Sequence, residues 1–430
     1  MLTRLVRWIV STFFREIIIE GEEHLAGLKA AIITPNHPNA LLDPMLLFFL
    51  SLPSPIRFVA KAPLFQIPLF GALLRHLGSI PVVRRLDAQG EVDYTAFFAA
   101  CVEALADGSC VVIFPEGRSL AQPMMAPLRT GAARLFFMAR DRGIDAKLVP
   151  VGLNYEHGAI FRSSVLIAVA PSIDTAPFVA QYAIDPAHAV RQLTSAINGA
   201  LAQRVLQAET FRDRELMLLL ERLYAEGDDR QTWAERWDRL KAFESGLARL
   251  RHVCPARIDA LRRLLGRYER IARAFGVKDP VPRTSPPSGG NVLLMWIGAL
   301  VAMVGVALNY APYKFIALLV TLTKQDASMA ATSKILFSLI VFPLAYALEA
   351  WLIARWLGAS AAIAFAVLIV PLSYFTLLFV EWRAEAGTTP SALSSWFIGQ
   401  PSPRVLDKLA RLRQQIVNEV ESLASLLERQ

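Results

Sequence analysis

Short apolar runs alternate with longer segments of helical periodicity between about residue 17 and residue 205. Six of these runs predict β-strands, and they are Ala31–Thr34, Arg57–Ala60, Ile80–Val83, Cys110–Phe114, Leu148–Leu153 and Val165–Ala170. The helical patterns between and after them are Leu41–Leu50, Leu64–Leu77, Val92–Ala106, Thr130–Arg140 and Ala187–Arg204. Nearly continuous apolar strands in alternation with helices are typical of a mainly parallel sheet flanked by helices. We therefore predict an α/β domain over residues 20–205.

The pattern changes on both sides of this domain. Residues 1–19 are apolar but interrupted by three arginines, which predicts an amphipathic helix lying in a membrane interface. An ordinary helix packed on the following domain is the alternative. Residues 206–276 place Arg, Glu and Leu at helical spacing without a strand signal, which predicts a helical region. A linker rich in Pro and Gly is expected over residues 277–290.

Beyond the linker, residues 291–383 predict a membrane domain. Three segments are apolar over a length that can cross a bilayer, and they are residues 291–308, 335–357 and 359–380. Lys334 before the last two and Arg383 after them favour both ends of this hairpin on the cytoplasmic side. A re-entrant or tilted first segment, with a turn at residues 310–313, would keep the amphipathic tail (residues 384–430) on the same side. Three full spans are the alternative.

Composition and charge narrow the classes of partner. The apolar fraction is 54% and the mean hydropathy is positive, which is typical of a protein partly inside a membrane. The net charge of +8 beside apolar segments favours anionic lipid or anionic substrates and disfavours nucleic acid. The three cysteines have neither metal-ligand spacing nor an even disulfide framework. We expect a reducing, cytosol-facing protein without a metal site.

Candidate chemistry begins in residues 36–44, which read Asn-His-Pro-Asn-Ala-Leu-Leu-Asp-Pro. His37 follows a predicted strand, and Asp43 lies six positions further on. At a strand-to-helix turn a carboxylate can hold an imidazole in one tautomer while the other nitrogen accepts a proton from an alcohol. No nucleophilic side chain lies nearby in the sequence, so a base that activates a substrate hydroxyl directly is predicted. A hydrogen-bonded core histidine and an aspartate that starts a helix are the alternative.

Cationic side chains are expected at the ends of neighbouring strands, and they are Lys61, Arg84, Arg118 and Arg129. Planar guanidinium groups match phosphate oxygens two at a time, so these positions predict a phosphate-bearing substrate. For each arginine taken singly, a solvated surface charge is the alternative. Glu116 lies on a Pro-Glu-Gly turn directly after a predicted strand. Its carboxylate can either stabilise that turn or bind substrate hydroxyls.

Four segments resemble the four sequence blocks of the glycerolipid acyltransferases. In chain order they read Asn-His-Pro-Asn-Ala-Leu-Leu-Asp-Pro, Gly-Ser-Ile-Pro-Val-Val-Arg, Phe-Pro-Glu-Gly-Arg-Ser and Val-Pro-Val-Gly. The resemblance implies that His37 is the general base and that Asp43 orients it. It also implies that Arg84 binds the substrate phosphate. The residues implied in holding glycerol phosphate are Glu116, Gly117 and Arg118, and Pro150 lies in the last block.

On this resemblance the chain is expected to be a membrane-bound O-acyltransferase of class EC 2.3.1. The acyl donor would be an acyl thioester, acyl-CoA or acyl-ACP, which is a co-substrate, and no resident cofactor is expected. The acceptor would be sn-glycerol 3-phosphate or dihydroxyacetone phosphate, in phospholipid biosynthesis. The expected location is the cytoplasmic membrane, with the active site on the cytosolic face.

Two details resemble the branch that contains the fungal glycerol-3-phosphate/dihydroxyacetone-phosphate acyltransferases. Five residues separate His37 from Asp43, one more than in the commonest form of the block, and the third block lacks a threonine before its arginine. Other functions stay open. One is a 1-acyl-sn-glycerol-3-phosphate (lysophospholipid) acyltransferase, another is an acyl-thioester hydrolase, and the last is a non-catalytic membrane scaffold.

Overall fold

The computed structural model describes residues 2–84, 91–224, 233–275, 292–385 and 403–428. The chain divides into two compact units. The first contains Met1–Gln207 together with Gln325–Thr332, and the second contains Ala208–Lys324 and Ser333–Gln430. The linker predicted over residues 277–290 lies outside the described residues, as do residues 386–402 of the predicted tail.

Seven strands form one mixed sheet in the first unit. They are β1 (Glu16–Glu20), β2 (Ala31–Pro35), β3 (Ile56–Lys61), β4 (Ile80–Val82), β5 (Cys110–Val112), β6 (Lys147–Tyr155) and β7 (Ser164–Val169). Their order is β1-β7-β6-β2-β5-β3-β4. Strands β2 to β6 run parallel to one another, whereas β7 is antiparallel to β6 and β1 is parallel to β7. The predicted mainly parallel sheet is confirmed, and the carboxyl ends of β2 to β6 share one edge.

Helices of the first unit cover this sheet. They are α1 (Leu2–Phe13), α2 (Leu42–Leu46), α3 (Pro68–His76), α4 (Thr95–Ala106), α5 (Gly131–Asp141), α6 (Ala176–Tyr182) and α7 (Pro186–Arg204). Ile32 of β2, Val111 of β5 and Leu148 of β6 are buried in one core cluster. Leu135 of α5 and Leu193 of α7 belong to the same cluster, so these helices pack on one face of the central strands.

The prediction of a single helix over residues 1–19 is wrong for its last turn. Helix α1 ends at Phe13, and β1 pairs in parallel with β7, with Ile17 opposite Val165. Three consecutive β-branched isoleucines favour a strand once a sheet edge is available to pair with them. The side chain of Arg162 caps the carboxyl end of α1. Its Nη1 donates to the carbonyls of Ser11, Thr12 and Phe14 at 3.1 to 3.2 Å. An interfacial position for α1 stays a prediction.

Among the residues that the structure describes, four amphipathic helices of the second unit share their own core. They are α8 (Phe211–Tyr224), α9 (Trp233–Val253), α10 (Pro255–Phe275) and, after the membrane helices, α14 (Pro403–Glu428). Leu220 of α8, Leu250 of α9, Leu261 of α10 and Leu412 of α14 share one buried cluster. The helical region predicted after the α/β domain is therefore present.

Three further helices are long and apolar, α11 (Val292–Leu322), α12 (Ala330–Leu357) and α13 (Ala359–Glu385). Among the described residues, three stretches have the length and composition to cross a membrane, and they are Leu294–Leu322, Ala327–Leu357 and Ala359–Trp382. The turn suggested at residues 310–313 is wrong, because α11 continues unbroken through Pro312. A proline inside such a helix is tolerated where neighbouring helices satisfy the freed backbone groups.

Close packing and polar contacts join these helices. A Cβ added to Gly305 of α11 would lie 1.9 Å from Oγ1 of Thr376 on α13, so only glycine allows this approach. The amide of Asn309 donates to Ser373 Oγ at 2.9 Å, and the hydroxyl of Tyr346 donates to Asn309 Oδ1 at 2.6 Å. Small residues and interhelical hydrogen bonds replace the hydrophobic effect inside a bilayer. Both features favour a tight bundle of α11, α12 and α13.

A buried carboxylate joins α8 to α9 and α10 in the second unit. Asp213 accepts a hydrogen bond from Thr210 Oγ1 at 2.6 Å and pairs with Arg251 and Arg262. Burial by itself would raise the pKa of Asp213, but the hydrogen bonds from Thr210 and the two arginines outweigh it and leave the pKa below its ordinary value. The ionised carboxylate therefore stabilises this helix packing.

We expect Asp213→Asn to lower the free energy of unfolding by about 2 kcal/mol at neutral pH, because charge-assisted hydrogen bonds to two arginines are lost. The pKa of Asp213 is lower in the folded than in the unfolded chain. Its stabilisation is therefore complete above the unfolded pKa of about 4 and is lost as the pH falls through the folded pKa. Urea unfolding of the detergent-solubilised wild type and variant, at neutral pH and at about pH 3, measures both the loss of stability and its dependence on pH.

Asp259→Asn is the matched control, because Asp259 is exposed and pairs with the same Arg262. Exposed ion pairs contribute little to protein stability, so the control substitution should change the free energy of unfolding by less than about 0.5 kcal/mol. Equal losses in the two variants would contradict a special role for Asp213.

Candidate active site

Polar side chains gather at the edge of the sheet where β2 to β6 end. His37 follows β2, Lys61 ends β3, Arg84 follows β4, Glu116 follows β5 and Tyr155 ends β6. Ligands of open α/β sheets bind outside the carboxyl ends of the strands. This edge is therefore the candidate site.

His37 and Asp43 are in direct contact. His37 Nδ1 lies 2.7 Å from Asp43 Oδ2, and the His37 ring stacks on Phe114 with 4.0 Å between ring centroids. The Asp43 side chain is fully buried, whereas that of His37 is 18% exposed. With Asp43 ionised, Nδ1 carries the proton and Nε2 keeps a lone pair. This arrangement suits a general base whose accepting nitrogen faces away from the carboxylate.

Two more groups donate to Asp43. The backbone N–H of Asn39 donates to Oδ2 at 2.7 Å, and the phenol of Tyr155 donates to Oδ1. Burial raises the pKa of Tyr155 well above its ordinary value, and the negative charge of Asp43 adds to this shift. The phenol therefore stays protonated and remains a donor to Asp43.

Sequence reasoning missed Tyr155. It lies 112 residues from Asp43, so no local spacing joins the two. Asn36 supplies the geometric link, because its side-chain amide donates to the carbonyl of Leu153 and accepts from the N–H of Leu153. This pair of bonds fixes the end of β2 beside the end of β6. The one available hint in the sequence is that Tyr155 ends a long apolar strand.

Glu116 holds the backbone of the site. Its Oε1 accepts the N–H of His37 at 2.7 Å, and its Oε2 accepts the N–H of Ala126 at 2.9 Å. Leu120 N donates to the carbonyl of His37 at 3.0 Å, so both peptide groups of His37 are fixed. Burial raises the pKa of Glu116, while the hydrogen bonds from Ala126 and His37 act in the opposite direction. Contact of Glu116 with substrate hydroxyls stays a prediction.

The predicted cationic residues are divided between two positions. Arg84 Nη1 lies 3.4 Å from the carbonyl of Gly117, and a Cβ added to Gly117 would lie 3.4 Å from Cγ of Arg129. Gly117 has φ +73°, a left-handed conformation that favours glycine. Arg118 is exposed directly after it. Arg84, Arg118 and Arg129 therefore surround one turn.

Lys61 lies elsewhere on the same edge of the sheet. It ends β3, which lies between β5 and β4. Among the residues that the structure describes, no group of three or more His, Cys, Asp or Glu side chains is placed to hold a metal ion.

Known proteins resemble part of this chain. The sequence model of the family described as Acyltransferase matches residues 16–154. The 1-acyl-sn-glycerol-3-phosphate acyltransferase LPAT1, chloroplastic, of Arabidopsis thaliana is 30% identical over 140 residues, which are 33% of this chain and 36% of that protein. Glycerol-3-phosphate O-acyltransferase 1 of Saccharomyces cerevisiae is 28% identical over 139 residues, which are 31% of this chain and 18% of that protein.

A solved structure also matches. It is the crystal structure of the 1-acyl-sn-glycerophosphate acyltransferase PlsC from Thermotoga maritima, with 15% identity and a TM-score of 0.34. The match covers 46% of this chain and 76% of that chain.

The family match contains His37, Asp43, Arg84 and Glu116. The chain spans about a third of the length of the plant relative and about a fifth of the yeast relative. The resemblance expected from the four ordered blocks is confirmed over this segment, because the sequence model described as Acyltransferase matches residues 16–154.

Proposed function

We propose that this protein transfers a fatty acyl group from an acyl thioester to a hydroxyl of sn-glycerol 3-phosphate or dihydroxyacetone phosphate. The observation that carries the proposal is the 2.7 Å contact between His37 Nδ1 and the fully buried carboxylate of Asp43. It lies within the acyltransferase-family segment, at the sheet edge where ligands of such folds bind. The yeast relative, named for glycerol 3-phosphate, supports this choice of acceptor.

The reaction follows from the geometry of the pair. Asp43 holds the Nδ1–H of His37, and Nε2 takes the proton from the acceptor hydroxyl. The resulting oxygen nucleophile forms a bond to the thioester carbonyl carbon, and the tetrahedral intermediate collapses with cleavage of the carbon–sulfur bond. The thiolate then accepts the proton from His37. General-base catalysis of this kind contributes on the order of 100- to 10,000-fold, and the rest comes from the positions of the two substrates.

The acceptor phosphate would bind beside the turn that contains Gly117. Arg84 and Arg129 approach this turn, and Arg118 is exposed directly after it. Guanidinium groups donate two parallel hydrogen bonds to phosphate oxygens. In this proposal Lys61 adds positive charge to the same edge, and the acyl carrier, coenzyme A or acyl carrier protein, is a co-substrate without any resident cofactor.

A monoacylated acceptor is the second candidate. The plant relative is named for 1-acyl-sn-glycerol 3-phosphate, which presents the same phosphate and one free hydroxyl beside an acyl chain. The His37–Asp43 pair would deprotonate that hydroxyl in the same way.

The proposed location is the cytoplasmic membrane, with the site on its cytosolic face. Three stretches of the described residues have the length and composition to cross a membrane. Lys334 and Arg383 flank the hairpin formed by the last two, which supports cytosolic ends for it. The three cysteines are free, which fits a reducing compartment.

Acyl transfer by the detergent-solubilised full chain tests the proposal. Labelled palmitoyl-CoA is offered with sn-glycerol 3-phosphate and, separately, with 1-acyl-sn-glycerol 3-phosphate. We expect labelled product from the unacylated acceptor, whereas product from the monoacylated acceptor alone would support the second candidate. Free fatty acid that forms without use of either acceptor would identify a hydrolase and contradict both.

His37→Asn is the variant that should be inactive in this assay. Its side-chain amide can still donate a hydrogen bond to Asp43, but it cannot accept a proton from the substrate hydroxyl. We expect kcat to fall by about 100-fold or more with the thermal unfolding midpoint unchanged. Unchanged turnover would remove the general base proposed here.

Arg84→Ala should raise KM for the phosphorylated acceptor by about 10-fold and leave KM for the acyl donor unchanged, because a charge-assisted contact to phosphate is lost. Initial rates with each substrate varied in turn measure this difference. Arg142→Ala is the control, since Arg142 is exposed, directly follows α5 and lies in the loop that leads to the amino end of β6. A similar rise in KM for the donor would show that Arg84 does not bind the acceptor phosphate.

Tyr155→Phe removes one of the three donors to Asp43 and should lower kcat by about 10-fold, because the carboxylate is held less firmly against His37. KM for both substrates should stay unchanged, since Tyr155 is buried behind Asp43. Steady-state kinetics with each substrate varied measure kcat and KM separately. Tyr182→Phe is the control, because the Tyr182 phenol is hydrogen-bonded to a different carboxylate, that of Asp141. An equal fall in kcat in both variants would contradict this positioning role.

A further inference from the structure

The backbone between His37 and Asp43 forms a strained turn. Ala40 has φ +36°, in the left-handed region that residues other than glycine rarely adopt. Such a conformation costs about 1 to 3 kcal/mol and persists only where the surroundings fix it. Helix α2 begins two residues later, and the N–H of Leu42 donates to the carbonyl of Asn39 at 2.9 Å. The turn therefore sets the position of Asp43 relative to His37.

Two hydroxyl groups hold consecutive N–H groups of this turn. Ala40 N donates to Ser119 Oγ at 2.8 Å, and Leu41 N donates to Thr332 Oγ1 at 3.2 Å. Both N–H groups are partly buried in the turn that leads into α2, and buried backbone N–H groups need acceptors of this kind. Ser119 comes from the loop after β5, whereas Thr332 lies 291 residues beyond Leu41.

Thr332 belongs to a short segment, Gln325–Thr332, that is part of the first unit. The segment lies in the sequence between α11 and the body of α12. It contains a 3-10 helix, Ala327–Met329, and Ser328, Ala331 and Thr332 are buried. The Thr332 hydroxyl therefore lies in the buried part of this segment.

We propose that the segment Gln325–Thr332 completes the acyltransferase unit and that Thr332 is a positioning residue for the His37–Asp43 pair. Thr332 acts through the N–H of Leu41 and does not touch the substrate. Together with Ser119 it fixes the strained turn, and this turn sets the distance between imidazole and carboxylate. The kinetic part of this inference rests on the function proposed above. The turn between His37 and Asp43 then depends on a residue at the start of α12, in the part of that helix that belongs to the first unit.

The test uses the full chain in detergent and three substitutions. Thr332→Val has nearly the same shape and lacks the hydroxyl, whereas Thr332→Ser keeps it. Thr323→Val is the matched control, because Thr323 is exposed and its hydroxyl donates to the carbonyl of Val320 in α11. Two measurements are made on each protein, amide hydrogen exchange of the peptide that contains residues 38–42 and steady-state acyl transfer.

In Thr332→Val we expect faster exchange at Leu41 and a kcat about 10-fold lower, with KM for both substrates unchanged. Thr332→Ser and Thr323→Val should match the wild type in both measurements. These results together support the positioning role, because a merely destabilised protein would also lose substrate affinity and would not recover with serine.

Other outcomes would overturn either the statement that Thr332 holds the turn or the statement that this hydrogen bond positions the His37–Asp43 pair. Unchanged exchange at Leu41 in Thr332→Val would show that Thr332 does not hold the turn. Faster exchange with unchanged kcat would show that the hydrogen bond exists but does not position the pair. Absence of transfer by the wild-type protein would overturn the proposed function and with it the kinetic role, while the exchange measurement would still decide whether Thr332 holds the turn.

Discussion

Asp43 is a fully buried carboxylate that accepts hydrogen bonds from three groups of the first unit. The donors are the imidazole of His37, the backbone of Asn39 and the phenol of Tyr155. An unpaired carboxylate at this depth would cost several kcal/mol, so its ionised form requires these donors. Each donor also restricts the orientation of the carboxylate. The same contacts that make the buried charge tolerable therefore favour the imidazole tautomer that the proposed general base needs.

The backbone around the pair is held as firmly as the side chains. Glu116 fixes the N–H of His37, and hydroxyls of Ser119 and Thr332 fix the turn that leads to Asp43. These groups come from different stretches of the chain, and the parallel strands bring the loops that carry most of them to one edge. The arginines around Gly117 lie at this edge as well. The imidazole of His37 and these arginines thus lie at one edge of the sheet without any single long loop.

The two units use buried carboxylates differently. Asp213 pairs with two arginines and accepts a hydrogen bond from a threonine, so its charge stabilises the packing of α8 on α9 and α10. Asp43 contacts an imidazole whose side chain is partly exposed, and in the function proposed above its charge orients that imidazole. Among the apolar helices, the contacts among Asn309, Tyr346 and Ser373 join the bundle by hydrogen bonds between neutral groups. One polar cluster therefore joins the amphipathic helices of the second unit, a second holds His37 in the candidate site, and a third joins the apolar helices.

The amino-acid sequence by itself determined the features that depend on neighbouring residues. The strands of the parallel sheet follow from short runs of apolar side chains, and the His37–Asp43 pair follows from two residues only six positions apart. The tertiary structure decided the contacts between distant residues. Tyr155 and Thr332 reach the site only because the sheet and the segment Gln325–Thr332 bring them there. The isoleucines of β1 became a strand because β7 offered an edge, and α11 continued through Pro312 within a bundle of neighbouring helices. Local periodicity determines which element a segment favours, whereas long-range pairing and burial determine which favoured element forms and which side chains meet.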